Sequence, residues 1–181
     1  LGRADCFRLR AVYESLASGT NAVAPTLTTG SITGTFQRGE IITGGTSGAK
    51  GFLITTTSPL QYVLATPTDF SSTDALTGAT SGATATASAK TDGDTVVTNN
   101  FTLDTGQRDN YYDISRIVRK PGFPAPTGKL LVVFDYFEHG SGDLFTVDSY
   151  PTSGVEFSYK DIPIYTATRI DPDVRQPTGQ Y

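Results

Sequence analysis

The chain has 181 residues, a formal net charge of −4 and 37% hydrophobic residues, with 19 glycines and neither methionine nor tryptophan. This leaves room for one ordinary domain or two small ones with thin cores. It also argues against a nucleic-acid partner, which needs a basic stripe to neutralise phosphates. No apolar run is long enough for a membrane-spanning helix, and the single cysteine, Cys6, forbids an intrachain disulfide and fits assembly in a reducing cytosol.

In chain order, Leu1-Gly2-Arg3-Ala4-Asp5 lacks a signal-peptide pattern, and the chain is read as part of a longer protein. Cys6 to Tyr13 alternates, with Phe7, Leu9, Ala11 and Tyr13 on one face and Arg8 and Arg10 on the other. The period of two predicts a strand with one wet face, and Cys6 is expected in the core. Glu14 to Thr28, small and polar with Pro25, reads as a connector. Within it Glu14–Ser18 is the only stretch of helical character.

An internal repeat follows. Phe36 to Ala49 aligns without gaps on Phe70 to Ala83, an offset of 34 residues, and seven of the fourteen positions are identical. Each copy has an aromatic residue, an acid (Glu40, Asp74), a short apolar pair, then Thr-Gly-x-Thr-Ser-Gly-Ala. Glycine supplies positive φ in such turns, and Thr and Ser satisfy loose backbone groups. Strands are predicted at Gly51–Thr56 and Gln61–Ala65, joined at Ser58-Pro59. Two copies are too few for a solenoid, so a small closed or sandwich-like module is expected.

Beyond Asp92-Gly93-Asp94 the pattern predicts strands at Thr95–Leu103, Ile114–Val118, Lys129–Phe137 and Leu144–Val147. Lys120–Gly128 contains three prolines in six residues, which fix φ and remove donors. It is read as a stiff extended spacer outside any central strand position. The resulting expectation is an all-β chain of two small linked β units, barrel- or sandwich-like, with extended, partner-dependent termini. Its segments are 1–27 (strand and connector), 28–91 (repeat module), 92–165 (second β domain) and 166–181 (extended tail).

Candidate chemistry is sparse. His139 lies among turn formers, and one His with one distant Cys makes no zinc site. Gly44–Lys50 resembles a phosphate loop but has Ala49 between Gly48 and Lys50 and leads into a strand. Asp104, Asp109, Asp113, Asp135, Glu138, Asp143 and Asp148 offer carboxylates, with Tyr111, Tyr112, Tyr136, Tyr150 and Tyr159 as sugar platforms. Spacing alone supplies no hydrolase cleft. No enzyme activity, catalytic residue, metal or cofactor is expected. Arg108, Tyr111 and Tyr112 are read as interaction residues, since Arg and Tyr favour interface centres, and Pro124 and Pro126 as the rigid part of a spacer.

Gln107-Arg108-Asp109-Asn110-Tyr111-Tyr112-Asp113, Pro124-Ala125-Pro126-Thr127-Gly128-Lys129-Leu130-Leu131-Val132, Asp135-Tyr136-Phe137-Glu138-His139 and Gly142–Tyr150 together form one long block. The block resembles a segment of large virion structural proteins of tailed phages, of the tail or baseplate-wedge type. The resemblance covers roughly Phe101–Ile164, and Leu1–Ser15 and the repeats are similar to segments that neighbour the block in those proteins. Arg169 to Pro177 departs from the segment that follows there. The resemblance implies a tail or baseplate scaffold module that assembles with other phage tail proteins into an oligomer, in the virion and, during assembly, in the host cytoplasm. The alternative is a carbohydrate-binding receptor module of a tail fibre, with a host glycan as ligand.

Overall fold

A computed structural model of the chain describes residues 1–107, 113–138, 150 and 159–163. The fold is nearly all-β. The chain divides into two compact units, neither contiguous in sequence: residues 10–100 with 121–133, and residues 1–9 with 101–120 and 134–181.

The first unit is built on the repeat. Strands β2 (Thr26–Thr29), β3 (Ile41–Gly44), β4 (Lys50–Leu53), β5 (Leu60–Leu64), β6 (Ala75–Gly78) and β7 (Thr84–Thr91) close into an antiparallel barrel of order β2-β5-β4-β3-β6-β7. Closure leaves no sheet edge, and a barrel this small is filled by its own side chains. Leu27, Phe36, Ile42, Leu53, Leu60, Tyr62, Phe70 and Leu76 fill it, with Ala83, Ala85 and Ala87 where large neighbours leave little space. Tyr62 and Phe70 meet edge to face with ring centroids 4.9 Å apart. β4 stops at Leu53, short of the expected Thr56. The Ile54 and Thr55 N–H groups both donate to the Gln61 carbonyl, at 2.8 and 3.4 Å, and this bulge turns the chain toward Ser58-Pro59.

The registers obey a twofold relation between the halves β2-β3-β4 and β5-β6-β7. Thr43 pairs with its own repeat counterpart Thr77, flanked by Ile42↔Gly78 and Gly44↔Leu76. The hairpins match position for position: Ile41↔Phe52, Ile42↔Gly51 and Thr43↔Lys50 in one, Ala75↔Thr86, Leu76↔Ala85 and Thr77↔Thr84 in the other. Leu27 pairs with Leu60, and Leu53↔Tyr62 has its counterpart in Ala87↔Thr29. β2 and β5 are therefore 33 residues apart and the rest 34, since the loop before Phe70 is one residue longer than that before Phe36. The bulge is repeated too, as the register shift between Thr28 and Thr29 against β7. The Thr29 hydroxyl is buried and has no hydrogen-bond partner among the described residues. Thr29→Val keeps the shape and removes an unpaired polar group, so it is expected to raise stability by ~1 kcal/mol in chemical denaturation.

A second cluster in this unit packs the Arg10–Glu14 part of β1 (Cys6–Glu14) over the outside of the barrel. Ala11, Tyr13, Ala22, Ala24 and Val63 are buried there, with Phe52, Ile54, Leu131 and Val133 around them. The expected wet face of β1 is only half exposed. Val12 is fully buried, and the Arg10 guanidinium lies 3.6 Å from the centroid of Phe52. β8 (Thr95–Val96) pairs with Tyr13 and Glu14, and β1 lies between it and β11 (Leu130–Tyr136). Residues 15–20 form a turn closed by Thr20 N–H donating to the Ala17 carbonyl at 3.2 Å, with no helix.

In the second unit β9 (Phe101–Asp104) pairs with β10 (Arg116–Arg119), and Arg116 Nε donates to Asp104 Oδ2 at 2.8 Å. Arg116, Val118 and Arg119 are exposed, so both faces of this cationic strand meet solvent. Among the described residues of this unit Phe137, Tyr150 and Ile162 form a buried cluster, with half-buried Phe7 packed against it. Cys6 is buried, and burial raises its thiol pKa.

Candidate functional site

Of the predicted interaction residues, Arg108, Tyr111 and Tyr112 lie outside the described residues, as do Asp109, His139, Asp143, Asp148 and the strand expected at Leu144–Val147. Pro124 and Pro126 are described and exposed, with Ala125 between them and Phe123, 39% exposed, just before. The spacer is not straight throughout. It begins with a turn in which Gly122 has φ 86°, a conformation open to glycine, and then runs without regular structure to Gly128. Its far end is clamped: Glu14 Oε1 accepts the Thr127 N–H, the Thr127 hydroxyl at 3.1 Å and the Gly128 N–H at 3.1 Å. Ser15 N–H donates to the Lys129 carbonyl at 3.0 Å, and Lys129 Nζ donates to Asn21 Oδ1 at 3.2 Å. The Thr127 and Gly128 N–H groups hold the Glu14 carboxyl below the ordinary glutamate range. The prolines thus sit on an exposed segment whose direction is set at Thr127 and Gly128.

Three other described residues of the block converge on Asp5, in the second unit. Gln107 Nε2 donates to Asp5 Oδ1 at 2.7 Å, the Tyr150 hydroxyl to Asp5 Oδ2 at 3.4 Å, and Phe137 N–H to the Asp5 carbonyl at 3.2 Å. Asp5 is buried with φ 53°, a left-handed conformation that Asp tolerates better than most residues. Ser115, also buried, donates to the Thr105 carbonyl at 2.7 Å and accepts the Cys6 N–H at 3.2 Å. Gln107 and Tyr150 therefore act as structural ties, and Tyr150, edge-on to Phe137 at 5.1 Å, is no sugar platform.

The repeat holds two buried acids. Asp74 is 0% exposed and Glu40 5%. Asp74 Oδ1 accepts the Thr46 and Ser47 N–H groups, both at 3.0 Å; Oδ2 accepts the Ser47 hydroxyl at 2.6 Å and the Ser71 N–H at 2.7 Å. Glu40 Oε2 accepts the Thr80 and Ser81 N–H groups at 3.0 and 2.9 Å; Oε1 accepts the Ser81 hydroxyl at 2.8 Å and the Gln37 N–H at 2.6 Å. Each half thus caps the Thr-Ser turn of the other, with the same four donor types. Burial pushes both carboxyls up, but the hydrogen bonds outweigh it and hold each below its ordinary range. Two glycines make the approach possible. A Cβ on Gly44 would stand 2.7 Å from Asp74 Oδ2, and one on Gly78 2.7 Å from Glu40 Oε2. The loop with phosphate-loop character does bind an anion, but that anion is the Asp74 carboxylate. The signal was present in the sequence as an acid at the same place in both copies; what the spacing concealed was that each acid serves the opposite copy.

A third set joins Tyr62, Asp69 and Lys90. The Tyr62 hydroxyl donates to Asp69 Oδ1 at 2.8 Å, and Lys90 Nζ lies 2.6 Å from Asp69 Oδ2 and 2.9 Å from Asp92 Oδ1. Burial pushes the Tyr13 phenol up to about 12 and raises Tyr62 as well, with Asp69 adding to both. Bonds to Asp69 and Asp92 raise Lys90. Burial raises Asp69, but Lys90, Tyr62 and the Phe70 N–H outweigh it and lower its pKa. Each group is held in its resting protonation state, which suits a fastening and is the reverse of a general acid or base poised near neutrality. Among the described residues no three His, Cys, Asp or Glu side chains gather as a metal site. No protein-family model, curated protein or solved structure matches this chain.

Proposed function

We propose that the chain is a structural module of a phage tail or baseplate, a scaffold that positions neighbouring virion proteins and performs no catalysis. The observation that carries this reading is the exposed Phe123–Pro126 segment, held in direction by Glu14 and lying inside the sequence block that resembles tail proteins. A proline segment fixed at its base loses little conformational entropy when a partner covers it. The full occupation of Glu40 and Asp74 by turns supports the same reading, since it leaves these two buried acids no role toward a substrate.

Two experiments test it. Immunogold labelling of phage particles with antibody to residues 101–150 is expected to mark the baseplate or tail. Label at fibre tips would favour glycan reception, and no label on intact or disrupted particles would remove the protein from the virion. Replacing Pro124 and Pro126 together by Gly is expected to lower particle assembly while the isolated chain melts as before. Normal particle yield from that variant would refute the role given to the segment.

A further inference from the structure

We infer that the barrel is a fused pair of self-complementary half-barrels, so that the partner each three-stranded half accepts is a second copy of the same unit. Three observations carry this. The first is the pairing. Around the ring, only β3–β4 and β6–β7 join strands of the same half, whereas β2–β5, β5–β4, β3–β6 and β7–β2 all join opposite halves. β2 pairs with no strand of its own half, and neither does β5. A half on its own is a hairpin plus an unpaired strand, too little to bury a core.

The second is the symmetry of the polar contacts. The surface that completes a half must offer a buried acid to its Thr-Ser turn and a Thr-Ser turn to its acid. The other half meets that demand donor by donor, with Thr80 matching Thr46 and Ser81 matching Ser47, while the equivalent Gln37 and Ser71 N–H groups bind the acid of their own half. The third is the core. Ile42 and Leu76 are isomeric, and Phe36 and Phe70 identical. The main inequality is balanced within the barrel: the pair Leu53 and Tyr62 is large where its counterpart, Ala87 and Thr29, is small. Two copies of the first half would put Leu with Thr at both places, which nearly preserves the filled volume. An isologous dimer has this logic, each patch meeting itself across a twofold axis.

The test uses the full chain. In one variant residues 60–91 are replaced by a second copy of residues 27–57. In a milder one, Asp74→Glu, Ala75→Ile, Leu76→Ile and Ala79→Gly make residues 74–83 identical to 40–49. At least one variant is expected to melt cooperatively with the parent's β-sheet circular dichroism. It is expected as a monomer, or as a dimer with halves exchanged between chains. Within that folded variant, removing the capping Glu of either copy by substitution with Ala is expected to lower Tm by the same amount within a few degrees. Unfolding of both variants beside a folded parent chain would overturn the inference. So would a large loss from one Glu and none from the other, because interchangeable halves must depend equally on their caps.

Discussion

Asp74→Ala is expected to lower the unfolding free energy of the barrel by ~3–5 kcal/mol, a large part of the ~5–15 kcal/mol that holds a domain of this kind together. The substitution removes one fully buried carboxylate and leaves four donors, the Thr46, Ser47 and Ser71 N–H groups and the Ser47 hydroxyl, without their acceptor. A buried donor stripped of a charged acceptor costs more than the bond was worth, since it was desolvated on folding and receives nothing in return. Asp74→Asn keeps the shape and one acceptor oxygen but turns an amide NH₂ toward donors, so ~2 kcal/mol is expected. Glu40→Ala should behave like Asp74→Ala because its four donors are the counterparts of those at Asp74. Urea denaturation monitored by circular dichroism reads all three. A loss below ~1 kcal/mol for Asp74→Ala would mean that water replaces the carboxylate and that the caps contribute little.

Acid should unfold the same unit through the same two groups. Both carboxyls have folded-state pKa values below their ordinary ones, so the unfolded chain binds more protons in the acid range. Stability is therefore complete above the unfolded values, near ~4 for Asp and Glu, and is lost as pH falls through the folded ones. With two groups the slope can approach ~2.7 kcal/mol per pH unit within that window. Asp69, lowered chiefly by Lys90 and Tyr62 against the effect of burial, adds to the same limb. The pH dependence of the urea midpoint between pH 2 and 6, as an experimental range, is the measurement. In Asp74→Asn the acid limb should flatten by about a third, the share of one of the three lowered carboxyls Glu40, Asp69 and Asp74. An unchanged limb would place the acid sensitivity elsewhere.

How much of this was legible before folding differs from one part of the chain to the next. The strand at Cys6 follows from alternation and those at Lys129 and Gln61 from short apolar runs, all local properties, and the structure has β1, β11 and β5 there within a residue or so. The closed module follows from the repeat and from turn chemistry, and the barrel over Thr26–Thr91 realises it. The end of β4 was misjudged because a bulge is a relation between two strands: Ile54 and Thr55 look extended until both meet Gln61. Arg10 looked solvated because alternation gives only which side a residue faces, and Phe52, forty-two residues away, is what covers it.

By itself the sequence determined the fold class, the duplication and the positions of the acids within it, because period, turn residues and repeat spacing are written along the chain. It left open what Glu40 and Asp74 do. A carboxylate twenty-eight residues from Thr46 has no preferred partner until the strands pair, and only the pairing of Thr43 with Thr77 swings each acid onto the opposite turn. The gathering of Gln107, Phe137 and Tyr150 about Asp5 belongs to the same class. Local preference is set by neighbours in the chain, whereas a buried polar group is satisfied by whatever the closed structure brings within three ångströms, and that is decided only when the barrel and the second core have formed.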